Sequence, residues 1–332
     1  MQVGLKRARS VPNILLSNFY SDTVLRVVDD LLPKGFNLLK LEEPGKAGIL
    51  KKAAQADYLL VGGRTRIDED ILNAATRLKM IQRSGVGLDS IDLDGLRERD
   101  IPLYVNAGVN ARSVAEHSVM LMLGILRNVH LADHKTRSGQ WVKHDLGMQC
   151  HDLYQKTVGL IGMGSIGQYV AKMLQGFDVN VIYSKRTQLP TKKEKELNVS
   201  FCAFDELLRR SDIVSLHCPL TPDTRELIGE EAIGLMKKGA YLVNTARGGM
   251  VNETALIQAL ETNHLGGAAL DVFCMEPLES DSPLLATNKL LLTPHMGGIT
   301  IETFSSMISA AFDNIVMFER EMFTCIDEKK VV

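Results

Sequence analysis

The stretch Lys156-Thr157-Val158-Gly159-Leu160-Ile161-Gly162-Met163-Gly164-Ser165-Ile166-Gly167 constrains this chain most. An apolar strand pattern runs into Gly-x-Gly-x-x-Gly, and a helical pattern follows from Tyr169 to Gln175. With those flanks, Gly162 makes a tight turn and Gly164 lets backbone approach a pyrophosphate. Gly167 lets the helix pack on the strand, with the helix N-terminus facing the anion. Without the flanks the triplet would mark only a tight turn. The motif begins about halfway along a chain of 332 residues, so something of domain size precedes it. That length suffices for about two domains.

From Pro12 onward strand-like and helix-like segments alternate. Strands are expected at 13–17, 36–41, 58–61, 79–83 and 102–105, and helices at 22–32 (with Ser21 as its cap), 67–75 and 88–97. Alternation of this kind predicts a parallel sheet covered by helices on both faces. Five strands can complete a small domain by about Asn106. A helix over 113–129 is apolar almost all round (Met120, Leu121, Met122, Leu123, Ile125, Leu126) and so is expected between layers. His117 on it reads as a packing histidine before a catalytic one. Residues 130–154 read as polar and irregular, a surface arm or subunit contact. The spacing of His134, His144 and His151 does not suit a metal site. Beyond the glycine loop, strands are expected at 179–183, 213–217, 241–244, 267–270 and 290–292, and a closing helix at 300–321.

Composition narrows the function classes. Net charge is -2, with 45% hydrophobic and 23% charged residues, so no global basic field points to nucleic acid or an anionic membrane. Five scattered cysteines without a C-x-x-C pair fit reduced thiols in a cytoplasm. Lys6, Arg7 and Arg9 precede only a short apolar run broken by Pro12, so neither a signal peptide nor a membrane span is expected.

The polar clusters fall where strands end, the face on which open α/β sheets bind ligands. In Ser84-Gly85-Val86-Gly87-Leu88-Asp89 the backbone N–H groups of Val86 and Gly87 can hold a carboxylate, or the loop is a glycine turn. Arg247, between a strand end and Gly248-Gly249, carries a guanidinium that can fork onto a carboxylate. His295, between Pro294 and Met296-Gly297-Gly298, can pass a proton near neutral pH. Glu276 can pair with His295, orienting the ring and favouring imidazolium. Together, after a dinucleotide loop, these fit hydride transfer between a nicotinamide and a 2-oxo acid.

Six motifs, in this order, resemble the D-isomer-specific 2-hydroxyacid dehydrogenases, in the branch of phosphoglycerate dehydrogenase and glyoxylate/hydroxypyruvate reductase. They are Gly85–Asp89, Gly162–Gly167, His217-Cys218-Pro219-Leu220-Thr221, Asn244–Gly249, Asp271-Val272-Phe273 with Glu276-Pro277, and Thr293–Gly298. The resemblance implies an α/β protein with two doubly wound parallel-sheet domains. A Rossmann cofactor domain (107–298) is inserted in a flavodoxin-like substrate domain (1–106 plus 299–332), with the site in a cleft that closes by a hinge. It implies a catalytic Arg247, Glu276 and His295. The carboxylate is then held by Val86, Gly87 and Arg247, and Glu276 keeps His295 protonated until proton transfer. It places Ser165 and Ile166 at the pyrophosphate and Cys218, Pro219 and Thr224 around the adenosine. Thr245, Ala246 and Asp271, with His295, Gly297 and Gly298, fall near the nicotinamide. Formate dehydrogenases have glutamine at the position of Glu276, which argues against that branch. A homodimer is usual in the family, and no serine-binding regulatory domain is expected after His295.

One departure bears on the cofactor. NAD users place an acid about 20 residues past the glycine loop, on the ribose hydroxyls. Here that strand ends in Ser184-Lys185-Arg186, which suits a 2′-phosphate, so NADP(H) is expected to be preferred, with NAD(H) possible. Alternatively the two cations are solvated loop charges, continuous with Lys192, Lys193 and Lys195. The expected substrate is a small 2-oxo or 2-hydroxy acid such as glyoxylate or hydroxypyruvate. The runner-up is D-3-phosphoglycerate, whose phosphate needs cations such as Arg64, Arg66, Arg83 or Arg112. A dinucleotide-sensing corepressor-like scaffold is the alternative of another class.

Overall fold

The structure, a computed structural model, describes residues 11–63 and 65–332. Lys6, Arg7, Arg9 and Arg64 lie outside the described residues. The chain divides into two compact units, one built from residues up to Val109 together with Ile301–Val332, the other from Asn110–Thr300.

The first unit holds strands β1 (Asn13–Leu16), β2 (Asn37–Leu39), β3 (Tyr58–Val61), β4 (Met80–Arg83) and β5 (Leu103–Tyr104). They pair in parallel in the order β2-β1-β3-β4-β5, the flavodoxin-like arrangement. Because strand side chains alternate, each strand feeds two cores. Leu15, Leu59, Val61, Ile81 and Leu103 face one side and pack with Ile49, Ile71 and Leu96 from helices. Ile14, Leu16, Tyr58, Leu60, Met80 and Tyr104 face the other and meet Ile308, Phe312 and Ile315 of the returning helix Ile301–Glu319. A buried polar network fixes that return. Asn314 Nδ2 donates to Gln82 Oε1 (3.1 Å) and to Asn106 Oδ1 (3.2 Å), and Lys329 Nζ donates to Asn314 Oδ1 (2.9 Å). The tail then pairs with β5, with Val331 N donating to Leu103 O (2.8 Å) and Val105 N to Lys329 O (3.0 Å).

The second unit holds β6 (Thr157–Ile161), β7 (Asn180–Ser184), β8 (Val199–Phe201), β9 (Ile213–Leu216), β10 (Ala240–Asn244), β11 (Leu265–Leu270) and β12 (Leu290–Leu292). All pair in parallel, in the order β12-β11-β10-β9-β6-β7-β8. This is the Rossmann order with one strand added, and the order reverses between β6 and β9. The helix Ala111–Leu126 packs on this sheet through Leu121, Met122 and Ile125. The expected fold class, two doubly wound parallel sheets, is the one observed.

Several expected elements differ. The long helix starts at Ala111 and stops at Leu126, where Asn128 adopts φ 50°. Residues 130–154, expected to be irregular, contain the helices Val129–Arg137 and Lys143–Gly147. The first of these buries no residue, so it carries no apolar stripe to read. The helix expected from Leu88 begins only at Leu93, because Ile91 bridges Ile67 and Asp92 accepts from Gly95 N at 2.9 Å. Ser21 stands at the start of Asp22–Leu31, but its side chain makes no capping bond. Helices Gly45–Ala53, Thr191–Leu197, Phe204–Arg210, Glu230–Leu235 and Glu253–Glu261, and strand β8, are short elements that the pattern did not separate from loops. The five cysteines are free thiols. Among the described residues no helix is long and apolar enough to cross a membrane, and no group of three His, Cys, Asp or Glu side chains is placed to hold a metal.

Candidate active site

The glycine loop sits where the second sheet reverses its order. Gly162 has φ +98°, and a Cβ there would lie 2.6 Å from the carbonyl carbon of His217, so the turn after β6 is pressed onto the end of β9. Its N–H donates to Ser184 O at 2.9 Å, tying the turn to β7 as well. At Gly164, by contrast, a Cβ would meet nothing within 4 Å, and the helix Ser165–Leu174 begins at the next residue. The first-turn amides of a helix lack internal partners and carry partial positive charge. Open space over exposed Ser165 and half-buried Ile166 therefore fits a pyrophosphate, and the residues present suit a dinucleotide.

The residues expected around the adenosine divide. Ser184 closes β7 half-buried, followed by half-buried Lys185 and exposed Arg186. Among the described residues neither cation has an ion-pair partner, whereas Lys193 in the same loop region pairs with Glu196 at 2.9 Å. Pro219 is exposed, and burial pushes the Cys218 thiol up to about 11. Thr224 is occupied with its own turn: its Oγ1 accepts from Thr221 N and donates to Pro219 O, each at 2.7 Å.

Arg247, Glu276 and His295 follow three neighbouring strands, β10, β11 and β12. Asn244 shapes the first loop, accepting from Ala246 N (3.0 Å) and donating to Arg247 O (2.9 Å). Arg247 Nη1 donates to Ala246 O at 2.6 Å, and the Thr245 hydroxyl meets Ser118 Oγ at 2.8 Å. Any Cβ at Gly248 would overlap the Phe273 carbonyl and Cys274 N, so the loops after β10 and β11 touch backbone to backbone. Glu276 Oε1 accepts from Phe273 N at 3.0 Å, and its Oε2 lies 2.6 Å from His295 Nδ1. The two side chains are 15% and 28% exposed, sheltered yet reachable.

Asp271 holds the third loop. Its carboxylate, at the end of β11, is 2% exposed. Oδ1 accepts from Thr293 Oγ1 (2.6 Å) and Met296 N (2.9 Å), and Oδ2 from Gly297 N (2.9 Å). Burial raises this carboxyl's pKa, but hydrogen bonds from His117, Thr293, Gly297 and Met296 outweigh it and hold it below the usual carboxylate range. The backbone of His295, between these anchors, adopts φ +54°. Gly298 follows, where a Cβ would come 2.8 Å from Asn110 Nδ2. Half-buried Ala246 stands beside Arg247.

In the first unit, Val86 is 47% exposed in the loop after β4, next to half-buried Gly87, and Gly85 O accepts from Asn106 N at 3.2 Å. Arg83 is not available for a substrate phosphate. It is 1% exposed and donates to Gly62 O (2.5 Å) and Gly63 O (2.8 Å). Arg112 pairs with Glu116 at 3.0 Å, and Arg66 is exposed. The expectation missed Asn244, Thr293 and Glu253, whose Oε1 accepts from Cys274 N at 2.8 Å. For the first two, the signal was their place inside the strand-end motifs.

His217 carries a consequence for acid stability. It is buried, its Nε2 meets Ser215 Oγ at 2.9 Å, and its Nδ1 has no hydrogen-bond partner among the described residues. Burial alone pushes it down from 6.5 to about 4. Between those two values the unfolded chain binds a proton that the native ring refuses, so stability falls as pH falls through that window, by up to about 3 kcal/mol. Urea midpoints measured against pH are expected to show a shallower acid loss in His217→Gln than in the parent. An equal slope in both would contradict this account.

Residues 119–297 match the family described as D-isomer specific 2-hydroxyacid dehydrogenase, NAD binding domain. Over 284 residues, 84% of each chain, the protein is 40% identical to a glyoxylate reductase of Aeropyrum pernix. It is 39% identical over 263 residues to a D-3-phosphoglycerate dehydrogenase of Mycobacterium leprae, covering 79% of this chain and 49% of that one, so it spans about half the length of that relative. The crystal structure of D-lactate dehydrogenase from Aquifex aeolicus, complexed with NAD and lactic acid, aligns with a TM-score of 0.84 at 26% identity, covering 96% of this chain and 99% of that one. The chain therefore belongs to the D-isomer specific 2-hydroxyacid dehydrogenase family and is an oxidoreductase working with a nicotinamide cofactor on a small 2-oxo or 2-hydroxy acid.

Proposed function

We propose that the enzyme reduces a small 2-oxo acid of the glyoxylate or hydroxypyruvate type, preferring NADP(H), with Arg247, Glu276 and His295 as its catalytic residues. The observation that carries the reading is the 2.6 Å contact between His295 Nδ1 and Glu276 Oε2. Glu276 accepts the Nδ1 proton, which fixes the ring's orientation and leaves Nε2 for the substrate. Bound nicotinamide supplies the two-electron transfer. His295 Nε2 gives a proton to the carbonyl oxygen in reduction and takes it back in oxidation. Arg247 holds the substrate carboxylate with its guanidinium, and the Val86 and Gly87 amides are further donors to it. The match to the Aeropyrum enzyme over most of its length supports glyoxylate-type substrates. The commitment of Arg83 to Gly62 and Gly63 weakens the case for phosphoglycerate.

Steady-state kinetics test the roles. His295→Gln is expected to lower kcat/KM by roughly 10²- to 10⁴-fold, and Glu276→Gln by less. Near-parental rates in both variants would remove the pair from the chemistry.

The cofactor preference rests on Ser184, Lys185 and Arg186, which offer a hydroxyl and two cations that, among the described residues, have no ion-pair partner, where NAD users carry an acid. A panel of glyoxylate, hydroxypyruvate, pyruvate and 3-phosphohydroxypyruvate, each with NADPH and NADH, decides both questions. NADPH with one of the first two acids is expected to be fastest. Ser184→Asp with Arg186→Ala is expected to move the cofactor ratio toward NADH, and an unmoved ratio would show that these residues do not select it.

We also propose a homodimer formed through the second unit. Trp141 and Met148 are 82% and 85% exposed and lie in one segment with Tyr154, itself 59% exposed. Several large apolar side chains left exposed in one short segment support an association surface there. Sedimentation is expected to give twice the chain mass, and the Trp141→Asp, Met148→Asp double variant about one chain mass. A monomeric parent would end the proposal.

A further inference from the structure

The helix Ala111–Leu126 is apolar in its second half but carries Ser113, His117 and Ser118 in its first. Each of the three points at a strand-end loop. Ser113 Oγ donates to Gly297 O at 3.0 Å, and Ser118 Oγ meets Thr245 Oγ1 at 2.8 Å. His117 Nε2 lies 3.0 Å from Thr293 Oγ1 and 3.3 Å from Asp271 Oδ1, with the ring 11% exposed.

The proton count settles how His117 engages them. A threonine hydroxyl has one proton to give. Thr293 gives it to Asp271 Oδ1 at 2.6 Å, so toward His117 the hydroxyl oxygen accepts. Asp271, as a carboxylate, only accepts. His117 Nε2 must therefore carry a proton and share it between the two oxygens. The ring is thus a donor directed at the pair of groups that grip the His295 loop on both sides, Thr293 before it and Asp271 on Met296 and Gly297 after it. Between those grips His295 sits at φ +54°, a left-handed backbone state that persists only where its surroundings hold it.

We infer that His117 is a positioning residue for the reaction: by donating Nε2–H to Thr293 and Asp271, it fixes the loop that aims His295 at the substrate. The inference rests on the proposed role of His295 as proton donor. A shift on the order of 1 Å in a reacting group can cost about 100-fold in rate, so the effect falls on kcat and leaves cofactor binding largely alone.

The test uses the full chain. His117→Phe keeps a ring of similar size without the donor, and His117→Gln restores an N–H donor. His117→Phe is expected to lower kcat roughly 10- to 100-fold, with KM for the nicotinamide cofactor changed less than about threefold, and His117→Gln to recover most of kcat. Thr293→Val removes the hydroxyl relay with little change in volume and is expected to reproduce the kcat loss, so the inference stays testable if His117→Phe does not fold. A lowered melting temperature with parental kcat in all folded variants would overturn it, as would a loss confined to cofactor KM. His295→Gln is measured alongside. If it stays active, the proton-donor reading itself fails; if it is inactive while His117→Phe and Thr293→Val turn over normally, only the positioning inference fails.

Discussion

A carboxylate removed from water must be met by donors, and Asp271 is met on every side. Its oxygens are taken by Thr293, Met296, Gly297 and His117. Leaving such a charge unpaired would cost several kcal/mol, so the loop after β12 has one acceptable path and His295 one place. The same loop set is joined on its other side by contact without side chains, because Gly248 brings the backbone after β10 against the backbone after β11. Three consecutive strand ends are thereby laced in series, and the guanidinium, the carboxylate and the imidazole inherit that order.

The sheet supplies the remaining relation. β10 lies two strands from β6, with β9 between them, so the loops around Arg247 and the glycine loop open on one edge of one sheet. Neighbouring strands are about 4.8 Å apart, which spreads the loops from β12 to β6 over roughly 19 Å. An elongated ligand can lie along such an edge, one end at a helix N-terminus and the other beside His295. At the reversal point Gly162, having no Cβ, lets the turn after β6 lie against the His217 backbone.

Much of this could be read from residues. Strands buried on two faces produce unbroken apolar runs, and the loops that end them change abruptly to Gly, Pro and charge, so both sheets and the series Arg247, Glu276, His295 stood out. What was hidden depended on partners distant in sequence. Asp271 was expected near the nicotinamide, but its bonds to a loop more than twenty residues away could not be read from the sequence. His117 looked like packing, because nothing local announces a Thr293 beside it. Arg83 was one of four candidate phosphate-binding cations that the sequence could not aim, and the folded chain turns it inward onto Gly62 and Gly63. The helix Val129–Arg137 was missed because it buries nothing.

The tail that pairs with β5 has a consequence for the growing chain on a ribosome. The first sheet's outer edge is covered by residues 329–332, and one of its two cores is closed by Ile308, Phe312 and Ile315. Roughly two hundred residues must be made between β5 and those partners, which takes on the order of ten seconds or more at common elongation rates. Through that interval the nascent first half exposes an unpaired strand edge and half of an apolar core, while the second unit, continuous in sequence, can already collapse. Edges in that condition template association with other chains. The period of greatest aggregation hazard for this protein therefore falls during its synthesis, and it lasts until both the helix Ile301–Glu319 and residues 329–332 have emerged.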